Sequence, residues 1–162
     1  MKSVFFYRFD KFDLFDNMTI GIAEEDNAIT ELFFEHHIPA SFAKAESQQI
    51  ETPLIKETAR QVEKYIAGKL KDFSVPLALH GTDFQVAAWQ ALQTIPYGET
   101  RSYKDMAEQI GRPKAVRAVG MANNRNPISI IVPCHRVIGH NGTLVGYGGG
   151  LPIKRYLLDL ES

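Results

Sequence analysis

Two apolar-rich runs, Met18-Thr19-Ile20-Gly21-Ile22-Ala23 and Ile29-Thr30-Glu31-Leu32-Phe33-Phe34, flank the polar break Glu24-Glu25-Asp26-Asn27-Ala28. β-Branched and aromatic residues around so short a break predict a β-hairpin. Upstream, Phe9, Phe12 and Phe15 alternate with Asp10, Asp13 and Asp16. Hard-cation loops add glycine and further oxygen ligands in a set order, so this run is read as a solvated edge and no metal is expected. His36-His37 has no third nitrogen or sulfur ligand beside it in the sequence and is read as surface. Residues 38–51 are polar and irregular. Thr52-Pro53 then supplies an N-cap and a first-turn proline for a helix running to about Ala67. Leu54, Thr58, Val62 and Ile66, with Ile55 and Ala59 beside them, form its apolar stripe, and Gly68 stands at the C-cap.

The second half changes period. Thr82-Asp83-Phe84-Gln85 is a capping box opening a helix whose core face is Phe84, Ala88, Trp89, Leu92 and Ile95, ended by Pro96-Tyr97-Gly98. Ser102-Tyr103-Lys104-Asp105 starts a second helix, to Ile110, with Met106, Ala107 and Ile110 inward. Gly111-Arg112-Pro113 turns the chain into a third, 114–124, with Val116, Val119 and Ala122 on one side and Lys114, Arg117 and Met121 on another. Helix, glycine-containing turn, helix is the helix-turn-helix pattern, whose first candidate role is DNA binding. Ala115, Ala118, Gly120 and Ala122 keep the last helix thin, which suits either close approach to a groove or plain helix packing. Ile130-Ile131-Val132 reads as a short buried strand stopped by Pro133, with Gly139 starting a turn.

Charge sharpens this division. Residues 1–81 carry nine Lys/Arg against thirteen Asp/Glu, a balance of −4, and residues 82–162 carry nine against six, +3. Between Arg101 and Asn126 the six cations Arg101, Lys104, Arg112, Lys114, Arg117 and Arg125 face only Asp105 and Glu108. A local basic segment in a chain of net charge −1 suits a confined nucleic-acid footprint, where it displaces phosphate counterions. The chain is long enough to bury a core without staples. We expect an N-terminal domain over 1–75, a linker at 76–81 and a second domain over 82–162. The charged N-terminus does not resemble a signal peptide, and no apolar run approaches the roughly twenty residues of a membrane span. One cysteine excludes an intrachain disulfide framework and a multi-thiolate zinc site, and points to a reducing, cytoplasmic setting.

That cysteine, Cys134, is followed by His135. An unperturbed thiol is only about 3% thiolate at neutral pH, so attack on carbon needs a base or a positive neighbour. Successive residues of a regular strand point to opposite faces, so His135 reaches the thiol only through a bend or a bridging water. The alternative is a small buried hydrophobe. The wider pattern separates the two readings. Pro133-Cys134-His135-Arg136-Val137, preceded by Asn126-Pro127 and followed by Gly146-Tyr147-Gly148-Gly149-Gly150-Leu151, resembles the signature of the O6-alkylguanine-DNA alkyltransferases, also called methylated-DNA protein-cysteine methyltransferases. The resemblance runs from about Gly81 to Glu161.

The resemblance implies an α+β chain, with an N-terminal ribonuclease-H-like α/β domain joined to a mainly helical, winged-helix-like domain carrying the helix-turn-helix. It implies irreversible transfer of an alkyl group from guanine O6 in double-stranded DNA to Cys134, with thymine O4 as a second candidate site. No cofactor takes part, and the acting species is a monomer. In the family's terms His135 is the base acting through a water, Glu161 orients it, Tyr103 donates to the purine, and Asn126 braces the turn into the active site. Arg117 fills the gap left by the flipped base, on a helix whose Lys114, Ala118 and Arg125 meet the DNA. Pro133, Val137, Tyr147 and Gly148 wall the pocket, with the carbonyls of Cys134 and Val137 accepting from the guanine amine. Some relatives carry serine at Gly148, so a roomier pocket is expected here. A helix-turn-helix regulator gives no reason for the Pro-Cys-His-Arg run, and a cysteine hydrolase would need an oxyanion hole that nothing in the sequence marks.

Overall fold

The computed structural model describes residues 1–9, 13–15 and 18–162. The chain divides into two compact units, Met1–Ala78 and Leu79–Ser162. In the first, β1 (Lys2–Arg8), β2 (Thr19–Glu25) and β3 (Ala28–Phe34) are joined by the short helix α1 (Ala40–Ala43) to β4 (Ser47–Gln49), then to α2 (Pro53–Ile66). The sheet order is β3-β2-β1-β4, antiparallel except for the parallel β1–β4 pair. The predicted hairpin forms around Asp26 and Asn27, both with positive φ (54° and 63°), the two-residue turn whose twist matches that of its strands. Alternation along β2 and β3 buries Ile20, Ile22, Leu32 and Phe34, and α2 adds Ile55, Val62, Tyr65 and Ile66 to that core. Thr52 caps α2 by accepting from the Ile55 N–H at 3.1 Å, and Gly68 follows it with φ 75°. Glu31, almost fully buried, accepts from Lys2 Nζ at 2.6 Å, Thr30 Oγ1 at 2.6 Å and Ser41 Oγ at 2.7 Å, so its charge is fully satisfied.

Several expectations for this unit need correction. Residues 38–51 are not wholly irregular: α1 and β4 lie there, and β4 is an exposed three-residue edge with no apolar alternation to announce it. β1 was not anticipated either. Phe9 and Phe15 are buried, Phe15 within a 3-10 turn over Asp13–Phe15, so this part is no solvated edge. Asp10, Phe12 and Asp16 lie outside the described residues. The expected linker is not free chain at its start, because Ile29 donates to the Pro76 carbonyl at 2.8 Å and accepts from the Ala78 N–H at 2.9 Å.

The second unit holds α3 (Asp83–Leu92), β5 (Arg101–Ser102), α4 (Tyr103–Gln109), α5 (Val116–Asn124), β6 (Val137–Ile138) and α6 (Leu151–Glu161). The predicted capping box forms between Thr82 and Gln85, and the predicted helix start at Ser102 forms a second one with Asp105. Trp89, Ala88 and Leu92 are buried on α3, and the Trp89 indole donates to the Ala122 carbonyl at 2.8 Å, tying α3 to α5. Gly111, at φ 76°, makes the turn between α4 and α5. The third helix starts at Val116 rather than Lys114, since Ala115 and the Arg112-Pro113 turn precede it, and Val116 is exposed instead of facing the core with Val119 and Ala122. β5 and β6 pair in parallel over two residues, too short for periodicity to mark, and α6 was likewise not foreseen.

Among the described residues no helix is long and apolar enough to cross a membrane. Replacing Thr82 by alanine removes one side of the α3 capping box, and we expect a loss of about 1 kcal/mol, read from the midpoint of chemical unfolding.

Candidate active site

The stretch before the cysteine is a turn, not the strand predicted from its apolar run. Asn126, itself buried, organises it: its Oδ1 accepts from the Ile128 N–H at 3.0 Å, and its Nδ2 donates to the Val132 carbonyl at 2.8 Å. The Val132 N–H closes the loop on the Ile128 carbonyl at 3.0 Å, and Ile130 sits at φ 71°. A β-branched residue in the left-handed region is strained by about 1–3 kcal/mol and persists only where its surroundings impose it. Here the full burial of Ile130 and the Asn126 bonds do so. The side-chain amide competes for the backbone groups a strand would have paired, which is why periodicity misread the segment.

Cys134 therefore opens a 3-10 turn, Cys134–Arg136, that leads into β6. In such a turn successive side chains are about 120° apart, so Cys134 and His135 are not on opposite faces. Cys134 is 4% exposed, and Asn126 Nδ2 donates to its Sγ at 3.2 Å. Burial pushes the thiol up to about 11, opposed by the Asn126 hydrogen bond and by the charge of Lys154. The resting sulfur is thus a thiol that needs deprotonation.

His135 is fully buried, with Nε2 2.7 Å from Glu161 Oε2. Arg136 donates to the same carboxylate through Nε (2.8 Å, Oε1) and NH2 (3.0 Å, Oε2), and through NH1 to the Ile95 carbonyl at 2.7 Å. The Gly98 N–H adds a longer bond of 3.3 Å to Oε1. An acceptor carboxylate makes Nε2 the protonated nitrogen, leaving Nδ1 as the basic one. Burial lowers the imidazole's affinity for a second proton, while the Glu161 hydrogen bond and charge raise it.

Tyr103 starts α4 and donates to the Val145 carbonyl at 2.9 Å. Its hydroxyl is raised to about 12, chiefly by burial and further by the charge of Cys134, so it remains a donor at neutral pH. Of the residues expected to wall a pocket, Pro133, Val137 and Tyr147 are buried and Gly148 is half-buried. The structure adds a residue that sequence reading passed over. Lys154 on α6 is fully buried, donating to the carbonyls of Val137 (2.6 Å), Val145 (2.9 Å) and Gly146 (3.4 Å) with its ammonium 5.8 Å from the Tyr103 ring centre. Burial lowers its pKa to about 8. A lysine in the apolar frame Leu151, Ile153, Leu157 was the available signal, since lysine is rarely buried without a task. The Val137 carbonyl expected to receive the guanine amine already accepts from Lys154, with one lone pair left over.

The predicted DNA-facing residues are placed together on or next to α5. Lys114, Arg117 and Arg125 are exposed and Ala118 is half-buried. Beside them, Tyr103, Lys104, Pro113, Val116, Gly139 and His140 line an open cleft of about 490 Å³.

A helix-turn-helix unit carrying one buried thiol, with a histidine–carboxylate pair beside it, defines a DNA-binding protein equipped for cysteine chemistry. Residues 83–162 match the 6-O-methylguanine DNA methyltransferase DNA binding domain, and residues 19–79 match the 6-O-methylguanine DNA methyltransferase ribonuclease-like domain. A methylated-DNA–protein-cysteine methyltransferase of Methanosarcina acetivorans is 64% identical over 107 residues, 66% of this chain and 69% of that protein. The constitutive enzyme of that name from Bacillus subtilis is 50% identical over 143 residues, 86% and 87% of the two chains. In three dimensions the chain resembles the O6-methylguanine methyltransferase of Mycobacterium tuberculosis, with TM-score 0.83 and 44% identity over 99% of this chain and 93% of that one. It also resembles the crystal structure of Mycobacterium tuberculosis OGT in complex with DNA, with TM-score 0.85 and 43% identity over 98% and 92%. The chain belongs to the methylated-DNA–protein-cysteine methyltransferase family.

Two substitutions test this geometry. Asn126→Ala leaves the Ile128 N–H and the Val132 carbonyl buried without their partner, and should cost about 2–4 kcal/mol in unfolding experiments. Lys154→Met removes a cation that favours the thiolate, so the Cys134 pKa should rise, seen as a shift of the thiolate ultraviolet absorbance to higher pH in DNA-free protein.

Proposed function

We propose that this protein repairs duplex DNA by taking the alkyl group of O6-alkylguanine onto Cys134, once per molecule. The observation that carries the reading is the placement of Cys134 Sγ against Asn126, one residue from the buried His135–Glu161 pair, in the unit that also holds the basic helix pair.

His135 takes the thiol proton at Nδ1 through a water while Glu161 holds the opposite side of the ring, the arrangement used by other activated nucleophiles. Sulfur attacks the alkyl carbon in line, an S–C bond forming as the C–O6 bond breaks with its electron pair on oxygen. The departing guanine must recover one proton to leave as the neutral base. In this reading Tyr103, protonated at neutral pH, gives up its bond to Val145, donates that proton, and is reprotonated by the one His135 took from the thiol. Two cations act on the charge balance: Lys154 favours the thiolate, and Arg136 fixes Glu161. A thioether does not leave under these conditions, and the chain has no second cysteine to remove the group. The protein is consumed.

A base inside a duplex cannot reach a buried thiol, so the nucleotide is extruded, at a cost of a few kcal/mol that is lower for a damaged base. α5 enters the minor groove, thin at Ala118 and Gly120, with Arg117 filling the vacated stack and Lys114 and Arg125 on phosphates. Pro133, Val137, Tyr147 and Gly148 wall the extruded base. The protein acts as a monomer on DNA carrying O6-alkylguanine, without a cofactor.

Intact protein mass after incubation with duplex DNA carrying O6-methylguanine should rise by one methylene, located on Cys134 by peptide mapping. Cys134→Ser should show no gain and leave the lesion in place. An unmodified wild-type mass with the lesion removed would exclude the proposal.

A further inference from the structure

Asn123, on the last turn of α5, is 5% exposed, and neither atom of its side-chain amide has a hydrogen-bond partner among the described residues. Buried amides are nearly always paired, and one that is not gains from any ligand able to pair with it. Its position indicates which ligand. Val116, Gly120 and Asn123 recur at helical spacing and so share one stripe of α5. A Cβ on Gly120 would come 3.9 Å from the Tyr103 ring, and Val116 lines the cleft with Tyr103. At the other end of the stripe the Asn123 carbonyl accepts from the Asn126 N–H at 3.2 Å, and Asn126 in turn bonds Cys134 Sγ at 3.2 Å. The stripe thus runs from the cleft to the residue whose backbone carbonyl holds Asn126, the hydrogen-bond partner of the sulfur, and the unpaired amide stands at that end. Among the described residues it is the one buried side-chain amide whose nitrogen and oxygen both lack a partner.

We infer that Asn123 is a specificity-determining residue, giving the alkyl side of the pocket a hydrogen-bonding group, and that the protein favours O6 adducts bearing a hydroxyl over apolar adducts of the same length. The inference rests on Cys134 being the alkyl acceptor. A hydroxyl both donates and accepts, so it can pair with either the nitrogen or the oxygen of the amide, whereas a methylene in its place leaves the amide unpaired.

Single-turnover rates on duplexes carrying O6-methyl-, O6-(2-hydroxyethyl)- and O6-propylguanine test this, with wild-type protein, Asn123→Leu and Asn123→Ala. Leucine matches asparagine in shape without polar atoms, and alanine controls for the bulk of leucine. The hydroxyethyl-to-propyl rate ratio should fall by ~3- to 10-fold in both variants, the worth of one neutral hydrogen bond. The ratio is taken within each protein, so a common change in rate, read on the methyl substrate, cancels, and Asn123→Leu should melt no lower than wild type. An unchanged ratio in both variants, with methyl still transferred to Cys134, would overturn the inference and leave the alkyl-acceptor reading standing. A lowered melting temperature with an unchanged ratio would likewise overturn it, assigning Asn123 to packing. Failure of the wild type to take up methyl would remove the alkyl-acceptor reading and this inference together.

Discussion

Glu161 receives hydrogen bonds from His135, from two nitrogens of Arg136 and from the Gly98 backbone, all in a buried setting. It is the last residue of α6, so this one carboxylate joins the C-terminal helix to the 3-10 turn bearing the nucleophile and to the loop after α3. A buried charge is tolerable only when its acceptors and donors are satisfied, and then it fixes one geometry. Arg136 takes up the carboxylate's charge and also holds the Ile95 carbonyl, so the carboxylate that orients the imidazole is itself fixed. The histidine's basicity and the helix's attachment are consequences of the same cluster.

Asn126 does for the backbone what Glu161 does for the side chains. Its amide satisfies the turn that Ile130 makes at unfavourable φ, then spends its remaining donor hydrogen on the sulfur. The direct bond to Sγ opposes the effect of burial on the thiol, as Lys154 does from α6. The nucleophile is therefore held protonated but flanked by a donor and a cation that become more favourable once the proton leaves. Tyr103 closes the same region by bonding the Val145 carbonyl, which Lys154 also holds together with that of Gly146.

What the sequence made legible follows from the range of the interactions involved. Helices α2, α3 and α4 were readable because caps and apolar stripes are local, and Thr52, Thr82 and Ser102 all bond as their spacing implied. β4, β5 and β6 were not, since two or three residues cannot express a period and their partners are distant in the chain. Residues 130–132 misled because an apolar β-branched run looks alike in a strand and in a buried turn, and only the Asn126 side chain decides between them. At the site, the proximity of His135 to Glu161 came from family resemblance, not from any spacing rule. Lys154 escaped notice because a lysine in a helical pattern reads as solvent-facing until the carbonyls it reaches are known.

The chain's single tryptophan is Trp89, and its indole N–H is spent on the carbonyl of Ala122 near the end of α5. Indole emission responds to the hydrogen bonding and polarity around that nitrogen. Displacement of α5 against α3 is therefore coupled to the protein's intrinsic fluorescence, with no competing indole to obscure it. The fold carries its own optical reporter on α3, tied directly to the helix that bears Arg117.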